Sequence, residues 1–150
     1  MEDSRLIENL IYTYAERIDL GDLEGVAELF REAAIIAPAQ NSRMEGYDAV
    51  LAMYQGACRL YPDTGTPKTR HITTNVIIEQ AGDQATARSV YTVIQATESL
   101  PLQPIISGRY HDSFKRTANG WQFAERQIFI DLMGDCSAHL LYAGGEVPGS

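Results

Sequence analysis

The segment TRHITTNVIIE, residues 69–79, is a long run of β-forming residues that contains a histidine, and the rest of the chain is organised around it. The alternation of side chains along a β-strand places His71, Thr73 and Asn75 on one face. It places the residues between them on the opposite face: Ile72, Thr74, Val76 and Ile78. A strand with this pattern usually has one buried face and one face in contact with water, so the His71 face lies either against solvent or against a pocket.

Three further long strands are predicted after this segment. The turn at residues 81–84 leads into a strand from Ala85 to Thr97, which is rich in β-branched and aromatic residues. A proline-containing break follows, and a third strand runs from Ile105 to Arg116. The pair Asn119-Gly120 is typical of a hairpin turn and leads into a fourth strand from Trp121 to about Leu132.

Helical periodicity dominates the first third of the chain. Asp3 is a predicted N-cap, because an apolar stripe at helical spacing follows it and runs to Ile18. Gly21 is expected to end this helix, and Asp22 to cap the next one. The remaining predicted elements are, in chain order, a second helix to about Phe30, a short buried strand over Ala33–Ala37, a loop or edge segment over residues 39–45, and a third helix from about Gly46.

Three helices with one short strand, followed by a meander of long strands, indicate an α+β fold in a single domain over residues 1–150. A sheet of four long twisted strands cannot have both faces exposed to solvent, so the helices are expected to cover one face. A strongly curved, mostly antiparallel sheet wrapped around three N-terminal helices would enclose a cone-shaped cavity.

The opposite face of the sheet also needs cover. Its predicted apolar residues are Ile72, Val76, Ile78, Val90 and Ile94. A second copy of the chain is the simplest source of that cover, so a homodimer through the outer face of the sheet is predicted.

Composition excludes several classes of function. A formal net charge of -8 repels phosphate backbones, so nucleic acid is not an expected partner. No run of apolar residues is long enough to cross a bilayer, and the acidic, amphipathic N-terminus does not resemble a signal peptide. A cytoplasmic protein without a membrane partner is therefore predicted. The two cysteines, Cys58 and Cys136, lack the spacing of a metal site and are expected to be reduced.

Four stretches carry a resemblance to a known family. They are residues 18–23 (IDLGDL) with Leu29-Phe30, residues 69–71 (TRH) with Asn75, residues 108–112 (GRYHD), and residues 120–126 (GWQFAER). Over residues 6–130 this pattern resembles the SnoaL-like branch of the nuclear transport factor 2-like superfamily. The resemblance implies a cone-shaped α+β barrel. Proteins of this fold include dehydratases, isomerases, cyclases, small subunits of ring-hydroxylating dioxygenases and binding proteins without catalysis.

Among the enzymes of this fold, the motifs are most similar to scytalone dehydratase. In that family a helix-end aspartate supports a strand histidine that acts as the base, beside a second histidine and two tyrosines. Asp19 and His71 match the first pair. Gln95 falls where the second histidine is expected, and the first strand, Ala33–Ala37, contains no tyrosine.

The resemblance makes His71 the candidate catalytic base and acid, with Asp19 holding one imidazole nitrogen. Each residue also has a structural interpretation, as a strand histidine and a helix-end turn residue. The candidate substrate-binding residues are Tyr110, Tyr54, Asn75, Gln95, Tyr14 and Tyr91. Tyrosine walls suit a flat aromatic or polyketide-like ligand, although tyrosines at these spacings also build ordinary cores.

No metal or cofactor is predicted. Alternation puts His111 on the face opposite Tyr110 and Asp112, and no glycine-rich segment opens a helix. Asp112 and Arg126 lie on neighbouring strands and are expected to form a buried structural pair. His139 lies in the tail, where exposure is expected and where only residues 138–142 can dock as a short element.

Two hypotheses follow. The first is a cofactor-independent acid/base enzyme, a dehydratase or isomerase, that acts on a hydrophobic aromatic or polyketide-like small molecule. The second is a non-catalytic module, either a small-molecule-binding protein or a small partner subunit of a ring-hydroxylating dioxygenase. A closed cavity in which Asp19 and His71 are hydrogen-bonded would favour the first hypothesis.

Overall fold

The computed structural model describes residues 1–141, which fold into the predicted three helices, a short strand and four long strands, with one more short strand. The elements are α1 Asp3–Asp19, α2 Leu23–Leu29, β1 Ala34–Ala37, a 3₁₀ turn Pro38–Gln40, β2 Ser42–Glu45, α3 Gly46–Ala57, β3 Thr69–Ala81, β4 Gln84–Gln95, β5 Gln103–Thr117 and β6 Gly120–Met133. Strand β2 lies in the polar stretch that was predicted as a loop or edge. None of the helices in residues 1–141 is long and apolar enough to span a membrane.

The six strands form one sheet in the order β2-β1-β6-β5-β4-β3. Strand β1 runs parallel to β6, and every other pair is antiparallel. Within residues 1–141 the sheet is not closed, since β2 and β3 are its two edges. The helices cover its inner face, and the core lies between them; its largest apolar members include Ile7, Ile11, Phe30, Phe114 and Phe123. The predicted α+β cone is confirmed, in an open form.

The start of α1 differs from the prediction by one residue. Glu2 is the N-cap, and Asp3 is already helical. The Asp3 carboxylate instead accepts hydrogen bonds from Trp121 Nε1 at 3.0 Å and from Arg116 Nη1 at 2.9 Å. These contacts fasten the first turn of the helix to the β5–β6 hairpin. The predicted cap of α2 is confirmed, because Asp22 accepts a hydrogen bond from the Gly25 backbone N–H at 2.9 Å.

A β-bulge interrupts the alternation of β3. The register with β4 shifts between Thr74 and Ile77, and Asn75 lies there in the left-handed region with φ of 55°. Asn is one of the few non-glycine residues that adopt this conformation readily. Beyond the bulge, Val76 and Ile78 pack against the core, and Ile77 faces outward. The prediction that Val76 and Ile78 lie on the outer face was therefore wrong.

A second bulge in β6 brings the predicted ion pair inside. The register with β5 shifts between Ser113 and Phe114, so Phe123 and Arg126 both point inward although they are three residues apart. Arg126 is fully buried and donates two hydrogen bonds to Asp112, at 2.8 and 2.9 Å. Burial opposes the charged form of Arg126, but the Asp112 carboxylate more than offsets this effect and raises the pKa of the guanidinium.

Candidate functional site

A cavity of about 170 Å³ lies between the helices and the inner face of the sheet. Most of its wall is apolar, with contributions from Ile18, Ile35, Val93, Ile106, Ile128 and Leu140. Its polar groups include two histidines and four tyrosines: His71, His139, Tyr14, Tyr54, Tyr91 and Tyr110. An apolar cleft with a few convergent polar groups is the usual form of a small-molecule site.

Asp19 and His71 form a hydrogen-bonded pair at this cavity. Asp19 is the last residue of α1, and His71 is the third residue of β3. The His71 Nδ1 atom lies 2.6 Å from Asp19 Oδ1, and the two side chains are only 9% and 13% exposed. With the Nδ1 proton held by the carboxylate, the lone pair of His71 is on Nε2, the nitrogen that a base in the cavity would use.

Two further hydrogen bonds fix the Asp19 carboxylate. The backbone N–H of His71 donates to Oδ2 at 2.8 Å, and the Thr69 hydroxyl donates to Oδ1 at 3.0 Å. Three donors from one strand therefore lock the carboxylate in place and, through it, the orientation of the imidazole. The sequence motif of residues 69–71 supplies all three.

The four tyrosines provide neutral hydrogen-bonding groups and flat walls. The hydroxyls of Tyr14 and Tyr54 hydrogen-bond to each other, and the Tyr91 hydroxyl donates to the Phe129 carbonyl at 2.9 Å. Tyr110 stacks on Tyr91 with centroids 4.4 Å apart, and its ring also contacts Arg126. Burial raises the pKa of Tyr14, Tyr54 and Tyr110, so these phenols stay neutral at physiological pH.

Two of the predicted substrate-binding residues do not line the cavity. Asn75 is exposed, because the β3 bulge turns it away from the His71 face. Gln95 is 1% exposed, but it lies behind the cavity wall and donates from Nε2 to the carbonyls of Pro67 at 3.0 Å and Ala138 at 3.1 Å. Asn75 and Gln95, both predicted to bind substrate, are thus not among the residues that line this cavity. Gln95 holds the polypeptide that closes the cavity.

His139 was predicted to be exposed, and this prediction was wrong. It is 8% exposed and lines the cavity, with its ring edge-on to His71 and the centroids 6.2 Å apart. His139 belongs to residues 136–141, here called the closing segment. This segment runs from the end of β6 to the end of α3 and carries the His139 side chain to the cavity. The docking element predicted at residues 138–142 is thus present as far as Leu141, and Tyr142 lies outside the described residues.

Backbone hydrogen bonds fix the closing segment. The Arg59 N–H donates to the His139 carbonyl at 2.8 Å, and the Leu141 N–H donates to the Ala57 carbonyl at 2.9 Å. The Ala138 carbonyl accepts from the Tyr61 hydroxyl at 2.5 Å in addition to Gln95. In the sequence, only the apolar residues Ala138, Leu140 and Leu141 distinguish this segment from a tail of mostly small and polar residues, and they do not indicate what the segment docks on.

Burial makes His139 a neutral imidazole. Desolvation lowers its pKa to about 4, and the nearby His71 adds to the decrease, while Asp19 opposes it. At pH 7 the cavity therefore contains one histidine held by a carboxylate and one uncharged histidine. The carboxylate partner of His71 and the apolar surroundings of His139 suit the two histidines to different chemical roles.

Acidification is expected to loosen the closing segment. The folded-state pKa of His139 lies below its ordinary value of 6.5, so the unfolded or undocked form binds more protons between pH 6.5 and 4. Stability is therefore lost as the pH falls through this window, by about 3 kcal/mol at its lower end. Amide hydrogen exchange of residues 136–141 at pH 7 and pH 4.5 measures the effect. His139→Gln should remove most of the pH dependence in that segment, and an equal dependence in the variant would contradict the assignment.

No metal cluster is visible in residues 1–141, where no three His, Cys, Asp or Glu side chains converge suitably. His111 is exposed on the outer face of β5, whereas Tyr110 and Asp112 point inward. Both cysteines are free thiols, and burial raises the pKa of Cys58 to about 11, so it is a protonated wall residue.

Comparison with known proteins places these features in a family. A family model described as a SnoaL-like domain matches residues 1–127. No curated protein matches the chain. Among solved structures, an NTF2-like protein with a cystatin-like fold from Novosphingobium aromaticivorans superposes with a TM-score of 0.74 at 24% identity, covering 91% of this chain and 86% of that chain.

Two other similar structures come from the same organism. One is a proposed scytalone dehydratase, with a TM-score of 0.70 at 25% identity over 88% of this chain and 86% of that chain. The other is a proposed aromatic ring hydroxylase, with a TM-score of 0.71 at 19% identity over 91% of this chain and 95% of that chain. The second similarity, like that of the NTF2-like protein, shows the fold alone.

Proposed function

Because the chain belongs to the SnoaL-like domain family, we propose that it is a cofactor-independent acid/base enzyme, a dehydratase or isomerase, that acts on a small hydrophobic molecule in the cavity. The observation that carries the proposal is the hydrogen bond from His71 Nδ1 to Asp19 Oδ1, with the imidazole at the wall of a mostly apolar cavity. A histidine oriented by a carboxylate is a general base that operates near neutral pH.

The proposed chemistry is a proton transfer in two steps. His71 Nε2 takes a proton from a carbon next to a carbonyl group, and Asp19 stabilises the imidazolium that forms. The electron pair left behind forms an enolate. The imidazolium then returns its proton, either to another carbon, which completes an isomerisation, or to a hydroxyl that leaves as water, which completes a dehydration. The apolar wall excludes water and so strengthens the attraction of the imidazolium for Asp19 and for the enolate.

The walls of the cavity favour a flat, uncharged ligand. Tyr91 and Tyr110 present stacked rings, and no lysine or arginine side chain lines the cavity within residues 1–141. The volume of about 170 Å³ is close to that of an apolar cavity of about 150 Å³ that binds benzene, so it suits a small molecule of one ring or two small fused rings. A small aromatic or polyketide-like ketone fits these limits, and a similar structure is a proposed scytalone dehydratase.

A second candidate is a binding module without catalysis. The polar side chains at the cavity are largely engaged with one another or with the backbone: Tyr14 with Tyr54, Tyr91 with Phe129, and His71 with Asp19. Such a wall can hold a ligand without acting on it. The same module could serve as a small subunit of a ring-hydroxylating enzyme, in line with the proposed ring hydroxylase among the similar structures.

Solvent deuterium separates the two candidates. The protein is incubated in heavy water with a panel of bicyclic aromatic ketones and hydroxyketones, and the products are followed by NMR and mass spectrometry. The enzyme hypothesis predicts deuterium incorporation next to the carbonyl, or loss of water, above the rate without protein. Binding of the ketones with neither outcome would favour the module.

We also propose that two copies pair through the outer face of the sheet. In the part of the chain that the structure describes, strand β3 is an unpaired edge, and its outward residues Ile72 and Ile77 are 40% and 46% exposed. Light scattering at micromolar concentration should give twice the chain mass of 16.6 kDa. Ile77→Glu should weaken the dimer by at least about tenfold. Leu102→Glu, at an exposed leucine in the β4–β5 loop, is the matched control. A monomeric wild-type protein would contradict the proposal.

A further inference from the structure

The side chain of His139 has no hydrogen-bond partner within residues 1–141. Its Nδ1 atom is fully buried and unpaired. Its Nε2 atom makes no hydrogen bond to the described residues and is not among the buried unpaired atoms, so it retains accessible surface, and the side chain lines the cavity. A polar side chain that is 92% buried and makes no hydrogen bond is energetically unfavourable. A ligand or a water molecule in the cavity would supply the missing hydrogen bond.

The tautomer follows from the burial of Nδ1. In proteins, a buried N–H without an acceptor is rarer than a buried acceptor without a donor. The proton is therefore placed on Nε2, where a group in the cavity can accept it. The imidazole is then a neutral donor. The His71 ring beside it has its lone pair, not a proton, on Nε2, so the two histidines present complementary groups.

Backbone pairing with residues 57–59 holds the His139 backbone in place. The carbonyl of His139 is bonded to the Arg59 N–H, and the next two residues are paired with Cys58 and Ala57. The donor is therefore positioned before any ligand arrives, which is the condition under which one hydrogen bond contributes most to recognition.

We propose that His139 is a second ligand-contacting residue that donates a hydrogen bond from Nε2 to the carbonyl oxygen of a small, uncharged cyclic ketone held beside His71. This inference rests on the proposed function, since it concerns the same cavity and names the oxygen of the molecule whose proton His71 takes. Hydrogen bonding to the oxygen lets that atom accept the electron pair that is released when His71 removes the proton. The bond is strongest in the enolate, so it aids the reaction as well as binding.

The test uses 1-indanone and indane, two bicyclic probes that differ only by the carbonyl group. Their dissociation constants are measured at pH 7 by NMR titration. The wild-type protein should bind the ketone about five-fold more tightly, the effect of one net hydrogen bond. His139→Leu should bind both probes equally. His139→Gln, whose amide nitrogen reaches the position of Nε2, should recover the preference for the ketone.

Two controls guard against a general loss of structure. His111→Leu replaces an exposed histidine on the outer face of the sheet and should leave the preference unchanged. In the unaltered protein, the His139 Nε2 resonance should move when 1-indanone is added and stay in place when indane is added. A ketone preference that persists in His139→Leu, or a wild-type protein that shows none, would overturn the proposal.

Deuterium exchange tests the role of His71, and the ketone preference tests the role of His139, so the two roles can be tested separately. If deuterium exchange depends on His71 while the ketone preference does not depend on His139, the function stands and the role of His139 is wrong. If the ketone preference depends on His139 and no protein-dependent exchange occurs, the cavity is a ketone-binding site without catalysis.

Discussion

Replacing Asp112 by Asn is expected to lower the free energy of unfolding by about 3–5 kcal/mol. Asp112 is 4% exposed and is the carboxylate partner of the fully buried Arg126, which contacts it through two hydrogen bonds. The guanidinium carbon also lies 3.7 Å from the centroid of Tyr110 and 4.3 Å from that of Tyr14. Removing the carboxylate charge leaves a buried cation with only aromatic faces and an amide around it. Urea denaturation at pH 7, followed by circular dichroism, measures the loss.

The chain supplies a matched control for this prediction. Asp131 makes the same two-point contact with Arg109, at 2.9 and 3.1 Å, but both side chains are more than 40% exposed. Asp131→Asn should leave the free energy of unfolding nearly unchanged, because solvent screens an exposed ion pair. The double variant Asp112→Leu with Arg126→Met removes both charges and should recover much of the stability lost by Asp112→Asn. Similar losses for Asp112→Asn and Asp131→Asn would show that burial of the pair is unimportant.

Asp19→Asn is expected to slow the proposed proton transfer by a factor on the order of 10²–10⁴. An amide has only one oxygen, whereas Asp19 accepts three hydrogen bonds through two. The amide NH₂ would face one of these donors, so the imidazole would lose its fixed tautomer and the charge that stabilises its protonated form. The measurement is the rate of deuterium incorporation at saturating ketone, with the dissociation constant determined separately.

Asp22→Asn provides the comparison for Asp19. Asp22 lies three residues away and caps α2, and asparagine is an equally good N-cap, so stability and exchange should both be unchanged. A positioning role for Asp19 predicts a loss of rate with nearly unchanged ketone binding. Equal exchange rates in Asp19→Asn and the wild-type protein would leave the carboxylate with a purely structural role at the end of α1.

Much of the fold could be predicted from the sequence because it depends on local periodicity. The apolar stripe after Asp3, the Gly21-Asp22 boundary and the Asn119-Gly120 hairpin are local signals, and the elements lie where these signals place them. The errors about which face a strand residue occupies occur where one residue is inserted into a strand. The bulge at Asn75 reverses the face of every later residue in β3, and alternation alone does not reveal it.

The site was only partly predictable, for a different reason. Asp19 and His71 are 52 positions apart, and their pairing was expected from a family resemblance and is present in the structure. His139 and Gln95 have roles that depend on where the closing segment docks, which is a tertiary contact with no periodic signature. The cytoplasmic location and the absence of a metal or cofactor stay predictions.

In the proposed function, His71 transfers a proton on a molecule bound in this cavity. The most direct measurement is the rate of solvent deuterium incorporation into a bound aromatic ketone, in the wild-type protein and in His71→Gln, at ketone concentrations that saturate both. Proton transfer by His71 predicts exchange above background in the wild-type protein and a fall in rate by a factor of about 10²–10⁴ in the variant, with binding retained. Equal exchange in the two proteins, or a saturated wild-type protein without exchange, would contradict it.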